Sequence, residues 1–222
     1  QLTKLEEDSQ KALSAAEAGV EVAIKQSIGS SVPIASLPNF SGTGFTGEAT
    51  VGVIQDSKFV SILLQKDQQY TFYLSDYPSY ANPLNSNISL YFMSEQTACP
   101  GPALELTFVS TTNAVTRRLV DPCDRINKPA QDLGFTANPP PVGGYSFAYR
   151  TDSIPILSQA ILIVRSLADS TRVGLDRIGG GNLPAQGKYV TSEAKHPSGV
   201  SKKVQLFQSY PQIPAEFFVT SF

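Results

Sequence analysis

The sequence is poor in the side chains that usually carry catalysis or hold metals. One His, two Cys and one Met occur among 222 residues, and the two Cys, at 99 and 123, are far apart, so paired-His motifs and a Cys-x-x-Cys clasp are excluded at the outset. No calcium loop with Asp at alternating positions occurs either. Charge of one sign is also lacking. Seventeen Lys and Arg oppose nineteen Asp and Glu, leaving a net charge of −2, which withholds the positive field behind nonspecific nucleic-acid binding. No apolar run approaches the ~20 residues required to cross a bilayer, and the opening Gln-Leu-Thr-Lys-Leu-Glu-Glu-Asp has neither the basic nor the apolar part of a signal peptide. The expectation is a soluble chain without cofactor, metal or nucleic acid. What is present, 41% hydrophobic and 16% charged residues, is the composition of a chain that folds.

Proline is missing from residues 1–28, which hold one Gly and eight charged residues; all sixteen Pro and fifteen of sixteen Gly follow. Two architectures meet near residue 29, and the domains expected are a helix over 1–28 and a β-rich head over 29–222. At ~100° per residue, Leu2, Leu5, Ala12, Leu13, Ala16, Val20, Ala23 and Ile24 fall in one stripe, with charges around the rest of the circumference. Gly29 and Pro33 close the helix. A helix of ~28 residues reaches ~42 Å, so part of it projects beyond the head unless the whole stripe packs on the chain's own sheet.

Beyond residue 48 the sequence is a succession of short β-rich runs: 49–54, 59–64, 70–74, 88–92, 104–109 and 115–120. A polar, Pro-rich stretch over 122–142 divides these from 145–149, 160–167, 172–176, 189–193, 200–208 and 217–220, giving two lobes of one sheet or two packed sheets. Ala168-Asp169-Ser170 and His196-Pro197-Ser198-Gly199 each join two runs by turn chemistry that predicts antiparallel neighbours. No second amphipathic helix of useful length appears, which argues against βαβ units.

Motifs of chemistry are weak. Gly179 to Lys188 lacks the spacing and following helix of a phosphate loop. Gly144-Tyr145-Ser146-Phe147-Ala148 alternates like a strand rather than a nucleophile elbow. The sole base, His196, lies in a turn, and a hydrolase would have to depend on it. Asn87-Ile88-Ser89 fits a glycosylation acceptor, and Asp121 at a Pro turn serves the backbone. Cys99 and Cys123 flank a strand pair, which suggests either a disulfide made in an oxidising compartment or two buried thiols. Tyr77, Tyr80 and Asn82 lie in a loop with the Tyr, Ser and Asn composition of recognition surfaces. That loop either grips a surface glycan or protein, or covers a sheet edge.

The run Ser9-Gln10-Lys11-Ala12-Leu13-Ser14-Ala15-Ala16-Glu17-Ala18-Gly19-Val20-Glu21 resembles the end of the long N-terminal helix of minor pilins of the PilX kind and related pseudopilins, over about 20 residues. The resemblance implies a pilin-like α+β fold, a long N-terminal amphipathic helix packed on a mainly antiparallel β-rich head. It implies a non-catalytic structural subunit of a type IV pilus-like filament or pseudopilus. Other pilin-like subunits would be its partners, through an assembly interface of Leu2, Leu5, Ala12, Leu13, Ala16, Val20 and Ala23. It also implies an inner-membrane segment and a cleavage site, neither of which this sequence contains, so the expectation is a portion beginning after that segment. Localisation would be extracytoplasmic, at the cell surface or in the periplasm, membrane-anchored before assembly. The alternative is an adhesin-like or carbohydrate-binding extracellular head.

Overall fold

A computed structural model of the chain describes residues 2–126 and 133–218. The fold-class expectation is overturned: 41% of the chain is strand against 13% helical, arranged as three antiparallel sheets with one N-terminal α-helix. This is a β-rich fold, not a pilin-like α+β head. The physical reason is the succession of short β-rich runs separated by turns after residue 30, which leaves a single segment with helical period.

Two compact units divide the chain. The first comprises Gln1–Ile54 and Gln186–Tyr210. It holds helix α1 (Leu2–Ala23), strands β1 (Ser31–Pro33) and β2 (Thr46–Gly52), and, from the far end of the sequence, β13 (Gly187–Lys195) and β14 (Ser201–Ser209). The sheet order is β1-β2-β13-β14. The His196 to Gly199 turn joins β13 and β14 as a hairpin, in register from Gly187 opposite Ser209 to Lys195 opposite Ser201. The helix ends at Ala23, earlier than its composition predicts, because residues 24–30 turn to deliver the chain to the sheet. There the Gly29 amide donates to the Val51 carbonyl at 2.8 Å, with Gly29 at a φ of 88°. Ala15, Ala16, Ile34, Leu37, Phe45 and Ala194 form one apolar cluster beneath α1. Val20, Ala23, Ala49, Val51 and Val190 form another.

The second unit comprises Gln55–Ala185 and Pro211–Phe222. One sheet runs β3 (Lys58–Val60), β12 (Gly174–Ile178), β5 (Ser86–Phe92), β9 (Tyr149–Thr151), β8 (Phe135–Ala137), with β10 (Ile154–Ile156) also on β5. The other runs β4 (Gln69–Tyr73), β11 (Gln159–Leu167), β6 (Ala103–Ser110), β7 (Val115–Val120). Alternate residues of both sheets meet in one core: Ile88, Leu90 and Phe92 from β5, Leu104, Leu106 and Phe108 from β6, Leu162 and Val164 from β11. The Ala168–Ser170 turn does not join neighbours. It carries the chain from β11 in one sheet to β12 in the other. Residues 211–218 line the edge of β4, where Gln212 Oε1 accepts from the Thr71 amide at 2.7 Å and Gln69 Oε1 accepts from the Ala215 amide at 2.9 Å. The strand expected over 217–220 is a 3₁₀ turn over Ala215–Phe218 as far as the described residues extend. Within the Pro-rich 122–142 stretch, residues 127–132 lie outside them.

Candidate functional site

The helix stripe divides into a covered and an uncovered part. Asp8, Ala12, Ala15, Ala16, Gly19, Val20 and Ala23 are buried, and of the residues expected to contact other subunits, Ala12, Ala16, Val20 and Ala23 instead face the sheet of their own unit. Their small size lets the helix lie close. A Cβ on Gly19 would come within 2.8 Å of Ile34 Cδ1 and 3.3 Å of Ala49 Cβ, and closer still to Ser192 Oγ. Leu13 is half-buried. Leu5 falls near the centre of the same arc and Leu2 at its edge, yet they are 56% and 80% exposed. No helix among the described residues is long and apolar enough to cross a membrane.

The loop of Tyr77, Tyr80 and Asn82 joins β4 to β5. It is closed by the Asp76 amide on the Ala81 carbonyl at 2.9 Å and the Leu84 amide on the Leu74 carbonyl at 2.7 Å. Tyr77 and Tyr80 do not stand free. Their rings pack on fully buried Tyr73, at centroid distances of 5.2 and 6.4 Å. Burial, reinforced by the neighbouring Tyr77, holds the Tyr80 hydroxyl above the usual phenol range. Asn82 points elsewhere: its Nδ2 donates to Asp76 Oδ2 at 2.8 Å, and both residues line a cleft of about 460 Å³.

The opposite wall of that cleft is the segment after β12, with Arg177 and residues 182–185. From sequence, Gly179 to Lys188 is weighed only as a phosphate loop, rejected as one, and not taken as part of a site. Its signal was the Gly179-Gly180-Gly181 run, where every glycine takes a positive φ. A Cβ on Gly181 would come within 2.9 Å of Arg177 Cζ, so the bare glycine makes room for the guanidinium. Arg177 Nη1 donates to the Asn182 carbonyl at 2.5 Å, while its Nε is buried without a hydrogen-bond partner.

Cys99 and Cys123 form a disulfide, tying the open ends of the β6–β7 hairpin. A disulfide is compatible with an extracytoplasmic location. Asp121, buried beside it, accepts from the amides of Cys123, Arg125 and Ile126 at 3.1, 2.7 and 2.8 Å and so fixes the turn.

His196 brings three groups of hydrolytic type near one another. Its Nε2 lies 3.7 Å from Oδ1 of buried Asp8, and its Nδ1 lies 2.8 Å from Ser198 Oγ. The Ser198 amide also donates to Nδ1 at 3.1 Å, which is the geometry of a turn closing on its own histidine. Ser146 lies in the second unit and is exposed. Among the described residues no group of three or more His, Cys, Asp or Glu is placed to hold a metal ion.

Comparison of the chain with protein-family models, with curated proteins and with solved structures returned no match.

Proposed function

We propose that this chain is a non-catalytic assembly subunit of a type IV pilus-like filament or pseudopilus, its β-rich units displayed at the cell surface. Helices of further copies would take up the apolar face that its own sheet leaves bare. The observation that carries this reading is the continuation of one helical arc from Ala12, Ala16 and Ala23, which are sheltered, to Leu2 and Leu5, which are 80% and 56% exposed. Burying two leucines contributes roughly 1.5–3 kcal/mol each. That is too little to offset the loss of translational and rotational freedom for an isolated pair of subunits. Repetition along a bundle, where each helix contacts several others, supplies the remainder and favours a polymer over a dimer.

The test is Leu2→Glu with Leu5→Glu in cells producing the protein from its own gene, with surface filaments sheared off and probed by antibody. Both side chains lie outside the fold's core, so thermal stability of the purified chain should change by no more than about 0.5 kcal/mol. Loss of the subunit from filaments with stability intact is expected. Undiminished incorporation would overturn the proposal.

A further inference from the structure

We infer that the cleft between the β4–β5 loop and the segment after β12 binds a neutral sugar. The inference is independent of the assembly reading, because every lining residue belongs to the second unit. Its volume of about 460 Å³ lies in the range of small-molecule sites.

The chemistry of the walls selects the class of ligand. Asp76 offers a carboxylate that only accepts hydrogen bonds, and Arg177 a guanidinium that only donates. Asn82 and Asn182 carry amides that do both. The two charges cancel, so the cleft has no net attraction for an anion or a cation. A ring bearing vicinal hydroxyls presents the same mixture of donors and acceptors at fixed spacing. Leu183 and Pro184 add apolar wall against which the C–H face of such a ring can lie.

The groups are also held ready. Asn82 is locked onto Asp76 at 2.8 Å, and it and Tyr80 hold φ values of 48° and 55°, conformations that non-glycine residues rarely adopt. Arg177 is pinned against the Asn182 carbonyl over Gly181. Side chains fixed before binding lose little freedom on binding. The tyrosines of the loop take no part as ring platforms, since they are committed to Tyr73.

The experiment uses the full chain labelled with ¹⁵N and titrated with lactose, maltose, cellobiose and N,N′-diacetylchitobiose, with sialyllactose as the anionic counterpart of lactose. Saturable shifts of the Asn82 and Asn182 side-chain amides with at least one neutral sugar are expected. Asp76→Asn and Arg177→Leu should each weaken that binding about tenfold, as for loss of a charge-assisted hydrogen bond. Tyr77→Phe should leave it unchanged, and melting curves confirm that each variant is folded. The proposal is overturned if no neutral sugar gives saturable shifts, if the shifts lie away from this cleft, or if sialyllactose binds tenfold more tightly than lactose. Full-strength binding by folded Asp76→Asn protein would overturn it as well.

Discussion

Tyr70 is 4% exposed in the core of the second unit, its ring 4.9 Å from that of Phe72. Burial pushes its hydroxyl up to about 12, against roughly 10 in an unfolded chain. Folding therefore favours the neutral phenol. The associated stability is complete below about pH 10 and is lost as pH rises from there through 12, by up to about 1.4 kcal/mol per pH unit. Urea unfolding measured across this window, beside the absorbance of ionised tyrosine, should show a steep alkaline decline that Tyr70→Phe makes shallower. Superimposable pH profiles for the two proteins would contradict the assignment. His196 shows the opposite side of reading single residues: its position in a turn was evident from His-Pro-Ser-Gly, whereas buried Asp8 at 3.7 Å was not, because helix and hairpin lie far apart in sequence.

The helix–sheet seam of the first unit depends on the smallness of Gly19. Replacing it by Ala gains about 1 kcal/mol of helix propensity, but the new methyl meets Ile34 Cδ1 at 2.8 Å and, closer still, Ser192 Oγ. Gly19→Leu gains nearly as much propensity but must lift the helix off the sheet, for a net loss of about 1–3 kcal/mol. A lowered urea midpoint at unchanged m-value is expected; an unaltered midpoint would mean that the seam has slack. At this scale much was legible in the sequence. The 115–120 run is β7 residue for residue, and 104–109 and 160–167 fall within one residue of β6 and β11 at each end. The missed strands, β1, β8, β9 and β10, are three residues each, and two contain proline; β9 shares only Tyr149 with the run expected over 145–149. Such pieces are strands only because a neighbour pairs with them. Half of the site's cleft was equally hidden: Asn82 stood out by composition, but Arg177 joins it through sheet pairing, Arg177 opposite Ile88. Small helix residues are ambiguous in the same way, since they suit contact with another subunit and a helix lying on its own sheet, and here Ala12, Ala16 and Ala23 are buried in their own unit.

For the molecule as a whole, the disulfide is the one covalent constraint beyond the backbone among the described residues. Closing a separation of 24 residues contributes about 3–4 kcal/mol in the chain-entropy model. Exposed Cys99 gives a reductant access. Reduction, or Cys99→Ser with Cys123→Ser, should lower the urea midpoint accordingly, and a change below about 0.5 kcal/mol would show that the reduced chain is already constrained. The first unit has a different kind of vulnerability, rooted in its discontinuity. Its helix and half of its sheet, β1 and β2, are translated early, whereas β13 and β14 follow Ala23 only after about 160 further residues. At ribosomal speeds that interval is roughly 10–30 s. Throughout it the helix has only β1, β2 and the segment between them to lie on, and the places of Val190 and Ala194 beneath it stand unfilled. Closure of the first unit therefore waits for the late hairpin, and the delay is set by the length of the intervening β-sandwich.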